Sequence, residues 1–170
     1  MPGGKVIIPE IVEPDEQLPG DLVALKGFAY LLDEAVAIPG TRKRVGLDAG
    51  LGLIPWFGDL IGALLSAWIV FGALRHRVPM LKVVRMVMNI LIDLGLGAIP
   101  IAGDIFDWLF EENVINMRLL LKYRDRKRPP RSFASIAGAA LVVVAIICWT
   151  AVLVLAGFVA ATVWLIHRYW

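Results

Sequence analysis

The longest apolar segment of the chain lies at its C-terminal end. No Asp, Glu, Lys or Arg occurs from Ile136 to Ile166, a run of 31 residues, and no proline interrupts it. As an α-helix this run measures about 46 Å, whereas the hydrocarbon core of a bilayer is about 30 Å thick. The pattern therefore predicts one tilted transmembrane helix within residues 133–170, with an interfacial end that contains Trp164, His167, Tyr169 and Trp170.

The N-terminal region begins polar and becomes amphipathic. Residues 1–20 combine four prolines with four acids, and such a composition does not offset the entropy lost on ordering, so a flexible acidic tail is predicted. No basic segment precedes an apolar run there, so we expect no signal peptide. Apolar residues then recur at helical spacing, which predicts an amphipathic helix capped by Asp21 and ended by Pro39-Gly40. It should lie on the membrane surface or against the rest of the protein, through Leu22, Leu25, Phe28, Leu32 and Val36.

The centre of the chain contains one motif twice. The pattern D-x-G-L-G-x-I-P-x-x-G-D runs from Asp48 to Asp59 and again from Asp93 to Asp104, at a constant offset of 45 residues. Eight identical positions at one offset indicate a duplicated unit, with repeats near residues 45–75 and 90–120. Proline disfavours helix in the residue before it, glycine relaxes the turn, and the second aspartate can cap the next helix. Each repeat is thus predicted to be a helical hairpin, with helix breaks at Pro55, Gly58, Pro100 and Gly103.

Two arrangements of these hairpins in a bilayer are open. Their arms are shorter than the roughly 20 residues that a crossing needs. Basic residues flank them in three groups, at 42–44, at 75–85 and at 118–131. If all three groups are cytoplasmic, each hairpin enters and leaves on one side and is re-entrant. The alternative has thin crossings at 58–74 and 86–103 and puts the loop from Arg75 to Pro79 on the far side, against the positive-inside rule.

Composition and charge favour an integral membrane protein. Hydrophobic residues make up 59% of the chain, more than soluble domains usually contain. The net charge of +2 is uneven, because residues 1–34 carry −5 and residues 118–131 carry +6. This basic block precedes the final apolar run and only Arg168 follows that run, so we expect the block in the cytoplasm and the C-terminus outside. Because the block adjoins a span, its predicted partners are anionic lipid headgroups rather than nucleic acid, through Lys122, Arg124, Arg126, Lys127, Arg128 and Arg131.

The aspartates of the repeats are the main candidates for chemistry. Asp48, Asp59, Asp93 and Asp104 occupy equivalent places in the two copies. They are interpreted either as helix caps and partners of nearby arginines or backbone amides, or as a pseudo-symmetric cation or proton site, since ionisable groups at membrane depth are costly. No enzyme, cofactor or metal centre is predicted, because no nucleophile with a base partner can be assembled and Cys148 is the single cysteine.

Three smaller features complete the sequence-based picture. His76 is expected to be a solvated neighbour of Arg75 and Arg77. Asn113 and Asn116, three residues apart, are expected to hydrogen-bond within a helix bundle rather than to bind substrate. Small residues in the last apolar run favour close contact between copies and hence a homo-oligomer, although ordinary membrane composition explains them equally well: Ala156, Gly157, Ala160 and Ala161.

Several motif segments together carry a resemblance to a known family. They are Ile38-Pro39-Gly40-Thr41, Gly46-Leu47-Asp48, Gly52-Leu53-Ile54-Pro55, Gly58-Asp59, Gly97-Ala98-Ile99-Pro100 and Gly103-Asp104, with Asp107, Asn113 and Asn116. With these segments the chain resembles the family catalogued as domain of unknown function 4112, over about residues 25 to 121. The resemblance implies a small membrane-associated domain, found in bacteria and fungi, that has no assigned reaction, cofactor or substrate. No catalytic residue is carried over from it.

The predicted organisation is an all-α membrane protein. It comprises a flexible acidic tail (1–20), a duplicated helical membrane domain (21–121), a basic juxtamembrane linker (122–132), and a transmembrane helix with its interfacial end (133–170). The predicted function is a non-enzymatic structural or scaffolding membrane domain. The alternative is a small ion or proton channel, or a transporter, that uses the paired aspartates.

Overall fold

The computed structural model describes residues 18–37, 39–40, 44–51, 57–97 and 111–170. This part of the chain holds six helices and one pair of two-residue strands. In chain order they are α1 (Gly20–Glu34), β1 (Val36–Ala37), β2 (Arg44–Val45), α2 (Leu47–Leu51), α3 (Phe57–Arg75), α4 (Met80–Gly97), α5 (Glu112–Tyr123) and α6 (Phe133–Tyr169). The predicted helical class is confirmed, with the short strand pair as an addition.

Helix α1 packs against the protein rather than standing apart from it. Leu22, Leu25 and Leu32 are buried and Phe28 lies at the edge of the core, where α1 contacts α3 and α5. The helix begins at Gly20 after Pro19, so Asp21 lies in the first turn and does not cap it. Val36 does not join the buried face because α1 has already ended at Glu34.

The chain turns back on α1 through the strand pair. Strands β1 and β2 are antiparallel, with Val36 opposite Val45, and between them Gly40 adopts a φ of 79° that suits glycine. Gly46 follows β2 and lies directly on the backbone of α1, where a Cβ atom would overlap Leu32 and Asp33. Only glycine permits this close return of the chain.

Helix α3 is the centre of the bundle. It contacts α1, α2, α4, α5 and α6, and no charged residue occurs between Asp59 and Arg75. Ala67, Val70 and Ala73 are fully buried among these neighbours. A helix surrounded on most sides is expected to be apolar all round, as α3 is.

A tight turn joins α3 to α4 and makes them antiparallel. Arg77 takes a left-handed φ of 58°, the Val78 N–H donates to the Ala73 carbonyl at 3.0 Å, and the Arg77 N–H donates to the Leu74 carbonyl at 3.3 Å. These bonds form a Schellman motif, which ends a helix by satisfying its last carbonyls. Pro79 then precedes α4. The start of α3 and the end of α4 therefore lie at the same end of the bundle.

The α3–α4 loop and the basic linker lie side by side. The Asp125 N–H donates to the His76 carbonyl at 3.0 Å, and the Arg131 N–H donates to the Arg75 carbonyl at 2.8 Å. We call residues 75–79 and 124–132 together the basic end. The loop after α3 and the linker after α5 therefore lie at the same end of the bundle.

The three basic groups nevertheless do not share one end. The Arg44 Nε donates to the Glu34 carbonyl at 2.8 Å, and its guanidinium lies 5.1 Å from the centre of the Tyr30 ring. Helix α1 carries the chain from Asp21, beside Arg75, to Glu34 at the other end of the bundle. Arg44 is therefore remote from the basic end, and re-entry of the hairpins stays a prediction.

Helices flank both predicted breaks. Helix α2 ends within the first motif and α3 begins within it, while α4 ends within the second motif and α5 begins after it. Gly58 is buried in the first turn of α3, and Asp59 is the third residue of that helix rather than its N-cap. Pro55, Pro100, Gly103 and Asp104 lie outside the described residues, as do residues 1–17 of the predicted tail.

Helix α6 is one uninterrupted helix, as the charge-free run predicted. It begins after Pro129-Pro130, and the Ser132 Oγ caps it by accepting from the Ser135 N–H at 3.3 Å. Ile136, Val143 and Ile147 are buried, and α6 contacts α3 and α4. From Val152 onward nearly all side chains are exposed on every side. Within the described residues, α3 and α6 are the helices that are long and apolar enough to cross a membrane.

Candidate functional site

A buried network of polar side chains joins three helices. The Ser66 hydroxyl on α3 donates to the Glu112 carboxylate on α5. The Asn116 Nδ2, one turn further along α5, donates to the same carboxylate at 3.0 Å and lies 3.3 Å from the Met86 carbonyl of α4. The Asn89 Nδ2, also on α4, donates to the Asn116 Oδ1 at 2.7 Å. We call Ser66, Asn89, Glu112 and Asn116 the internal polar network.

The burial of this network determines what it contributes. Ser66 and Asn116 are fully buried and Glu112 is 3% exposed. A buried polar group that loses its hydrogen-bond partner costs about 1 to 3 kcal/mol, and more if it is charged. A shifted α5 would break these bonds, so the network fixes the register of α5 against α3 and α4. Asn113 and Asn116 thus hydrogen-bond inside the bundle, as their spacing predicted.

Asp33 connects the end of α1 to the start of α5. Its carboxylate accepts from the Val114 N–H at 2.8 Å and from the Asn113 Nδ2 at 2.7 Å. Val114 is the third residue of α5, and its amide is one of the donors that a helix leaves unsatisfied at its start. Asp33 therefore does from another helix what an N-cap side chain usually does.

The surroundings of Asp33 and Glu34, at the end of α1, disfavour the negatively charged form of both carboxyl groups. Burial raises the pKa of Asp33 from 3.8 to about 6, although its hydrogen bonds to Val114 and Asn113 oppose the shift, and Glu111 adds to it by repulsion. The pKa of Glu34 is also raised, first by burial and then by Glu111, against the attraction of Arg44 and Arg118. A proton is therefore held more tightly here than in an unfolded chain.

At the basic end, Asp21 pairs with two residues of α3 and its turn. Its Oδ2 lies 2.8 Å from the His76 Nε2 and 3.3 Å from the Arg75 Nε. His76 is 5% exposed, so the expectation that it is solvated is wrong. The reason is that the first turn of α1 packs over the turn after α3. The Arg75 guanidinium also lies 4.4 Å from the centre of the Phe133 ring, at the start of α6.

The structure describes two of the four repeat aspartates fully. Asp59, in the first turn of α3, and Asp93, in the last turns of α4, are half-buried at the same end of the antiparallel α3–α4 pair. Each has an interaction partner. Asp48 lies in α2 but its side chain is outside the description, as is all of Asp104. Within the described residues no group of three or more His, Cys, Asp or Glu side chains forms a metal site. The ion site stays a prediction.

The predicted headgroup contacts are mostly accessible. Lys122, Arg126, Lys127 and Arg131 are exposed, and Arg128 is exposed beside Asp125, with a distance of 3.6 Å between the two charges. Arg124 is half-buried and its Nη1 donates to the Leu121 carbonyl at 3.3 Å. The linker thus presents most of its positive charge outward at the basic end.

Sequence reasoning anticipated Asn116 but missed the other three residues of the internal polar network. Ser66 stands alone within an apolar stretch, and Glu112 is separated from it by 46 residues. One signal was present, because Glu112, Asn113 and Asn116 recur on the face of α5 that also carries buried Met117 and Leu120. Polar residues on an otherwise apolar helix face indicate a buried hydrogen-bonded cluster.

Comparison with known proteins gives one match. A family described as domain of unknown function (DUF4112) matches residues 22–123, which include α1 through α5. Neither a curated protein nor a solved structure shows significant similarity to the chain. The matched region covers more than half of the chain and agrees with the segment from which the resemblance was inferred. The chain therefore belongs to the DUF4112 family.

Proposed function

We propose that this protein is an integral membrane protein in which α6 anchors the family domain in a bilayer, and that the domain is a non-enzymatic structural or scaffolding module. One observation carries the proposal. From Val152 to Trp170 the helix presents apolar side chains on all sides, and nearly all of them are exposed. A helix that is hydrophobic all round requires either a protein core or lipid around it.

Further support comes from the faces of the bundle. Helix α4 exposes an apolar stripe at helical spacing: Leu81, Val84, Met88, Ile92 and Leu96. Helix α3 also exposes Ile61, Leu64 and Trp68. Exposed apolar surface of this kind marks a membrane or protein contact. Lipid around α3, α4 and α6 would explain the exposed apolar side chains of all three helices.

Charge gives the orientation that we propose. The basic end is cytoplasmic, next to anionic headgroups, while Trp170 lies outside, in a bacterial cytoplasmic membrane. The helix is about 55 Å long over its 37 residues and therefore exceeds a hydrocarbon core of about 30 Å, so that tilt and ends that extend past the core together accommodate it.

A scaffolding role is supported by what the buried polar groups do. Glu112 and Asn116 bond across helices, and Asp33 satisfies the start of α5. These bonds hold the helices in register, which is an architectural task.

Extraction of membranes with alkaline carbonate tests the anchoring. The full chain is expected to stay in the pellet, whereas a chain ended after Ala151, which keeps Ile136, Val143 and Ile147 on the bundle, is expected to lose most of its retention. Full extraction of the intact chain would refute the proposal. Labelling of single cysteines in a Cys148→Ala background, at Ser132 and at Trp170, tests the orientation. The two sites should label from opposite sides.

The ion-pathway alternative has one observation in its favour. Asp59 and Asp93 come to the same end of the antiparallel α3–α4 pair. Ion flux through liposomes tests it directly.

A further inference from the structure

We propose that the groove between α1, α3 and α6 binds one anionic phospholipid from the leaflet next to the basic end, with an acyl chain along the groove and the phosphate at Arg75. The inference deepens the proposed function and rests on it, because the bilayer supplies the ligand.

The groove has the size and lining of a site for an apolar chain. Its volume is about 520 Å³, within the range of about 300 to 1,000 Å³ typical of ligand pockets. Leu64, Trp68 and Phe71 of α3 form one wall, and α1 and α6 form the others with Leu25, Phe28, Ala137 and Ala140. The alanines on α6 leave the space open, since larger side chains there would fill it.

Its length matches one leaflet. Along α3 the groove runs from Arg75 to Leu64, a separation of eleven residues or about 16 Å of helix. One leaflet contributes about half of the hydrocarbon core, or about 15 Å. Asp21 and Phe133, which line the groove at the starts of α1 and α6, mark the same end as Arg75. The groove therefore begins at the basic end and extends inward by one acyl-chain depth.

Charge at the mouth selects the headgroup. Arg75 lies there against the Phe133 ring, with Asp21 as its partner at 3.3 Å. The backbone of Arg131 lies beside Arg75 through its hydrogen bond to the Arg75 carbonyl, and Arg77 belongs to the same basic end, where its Nε donates to the Pro129 carbonyl at 3.2 Å. These cations outnumber Asp21, and guanidinium groups match the geometry of phosphate oxygens. Basic pockets between helices at a cytoplasmic surface recognise anionic headgroups in this way.

The experiment measures lipid retained by the intact protein. Full-length protein in detergent is mixed with equal amounts of phosphatidylglycerol and phosphatidylcholine of identical chains, and bound lipid is counted by native mass spectrometry. Wild type should retain one lipid and prefer phosphatidylglycerol. The double variant Ala137→Leu with Ala140→Leu fills the groove and should lower retention about tenfold. The matched control, Ala139→Leu with Ala145→Leu, changes exposed positions of the same helix outside the groove and should behave as wild type.

A second pair of variants tests the headgroup. Arg75→Gln should keep lipid binding but lose the preference for phosphatidylglycerol, while Arg85→Gln, which removes the same charge from an exposed position of α4, should keep the preference. Unchanged retention in the groove-filling variant would overturn the acyl-chain site. Equal retention of the two lipids by wild type, or an unchanged preference in Arg75→Gln, would overturn the headgroup site.

A measurement on the wild-type protein tests the groove without any variant, so its result does not depend on whether the variants fold. Phosphatidylglycerol with a photoreactive acyl chain should label Leu25 and Phe28 of α1 in proteoliposomes, and labelling confined to the outward face of α6 would refute the groove. Carbonate extraction of the same samples separates the two proposals. A chain that stays in the pellet without α1 labelling contradicts only the lipid site, whereas an extracted chain contradicts the anchoring.

Discussion

Asp33 should make the bundle less stable as the pH rises from about 4 to about 7. Its pKa is 3.8 in the unfolded reference and about 6 in the folded protein, so the folded state binds its proton more tightly. The stabilisation from this proton is fully present below the unfolded pKa and is lost as the pH rises through the folded one. A difference of about two pKa units corresponds to about 3 kcal/mol. Because Asp33 keeps partial solvent access, we expect about 2 kcal/mol.

Asp33→Asn isolates this contribution. The amide cannot ionise, so its free energy of unfolding should lack the pH dependence that Asp33 adds, while one of the two hydrogen bonds, to Val114 or Asn113, is lost at a cost of about 1 kcal/mol. Relief of the burial penalty offsets that loss near neutral pH. The variant should therefore match wild type near pH 7.5 within about 1 kcal/mol and be less stable near pH 4.5.

Denaturant unfolding of the full chain in detergent, followed by circular dichroism at several pH values, measures the difference between the two proteins. Other carboxylates titrate in both and cancel in that difference. Parallel curves for wild type and Asp33→Asn would refute the reasoning, as would a wild type that gains stability relative to the variant on raising the pH.

Three further predictions follow from particular contacts. Gly46→Ala should destabilise the bundle by about 3 kcal/mol in denaturant unfolding, because the new Cβ meets the backbone of α1, whereas Gly50→Ala, with open space around it, should not destabilise; equal effects would contradict the close approach. Ile147→Ala should lower the free energy of unfolding by about 2 to 4 kcal/mol, because it leaves a cavity against α3 and α4, while Ile146→Ala at an exposed position should lower it little. Equal losses of stability in the two variants would mean that α6 does not pack on the bundle. Asp59→Asn combined with Asp104→Asn should leave ion leak from proteoliposomes unchanged and lower thermal stability if these residues are architectural; an altered leak at unchanged stability would favour the ion pathway.

The helices themselves were predictable from local pattern. The charge-free run defined α6, and the spacing of Leu22, Leu25 and Leu32 defined the buried face of α1. Each of these signals acts through the backbone or through residues within a few positions of one another. The sequence did not predict correctly that Asp21 lies inside the first turn of α1, because the helix begins at Gly20, earlier than the apolar pattern indicates.

The site was predicted only in part. Sequence drew attention to the repeat aspartates, which are conspicuous because they recur, and the structure gave two of them a common end. Most of the internal polar network went unnoticed because the bond between Ser66 and Glu112 joins residues that are 46 positions apart. His76 was misjudged for the same reason, since its partner Asp21 is 55 residues away.

The sequence by itself thus determined the helical class, the family, the long apolar helix and the uneven distribution of charge. Tertiary structure alone decided which polar groups meet, that the loop after α3 joins the linker in one basic end, and that a groove with a cation at its mouth opens between α1, α3 and α6. The physical reason is the separation along the sequence over which each kind of interaction acts. Helix propensity, capping and hydropathy depend on near neighbours, whereas a hydrogen bond between helices requires a packed core to bring distant residues within about 3 Å.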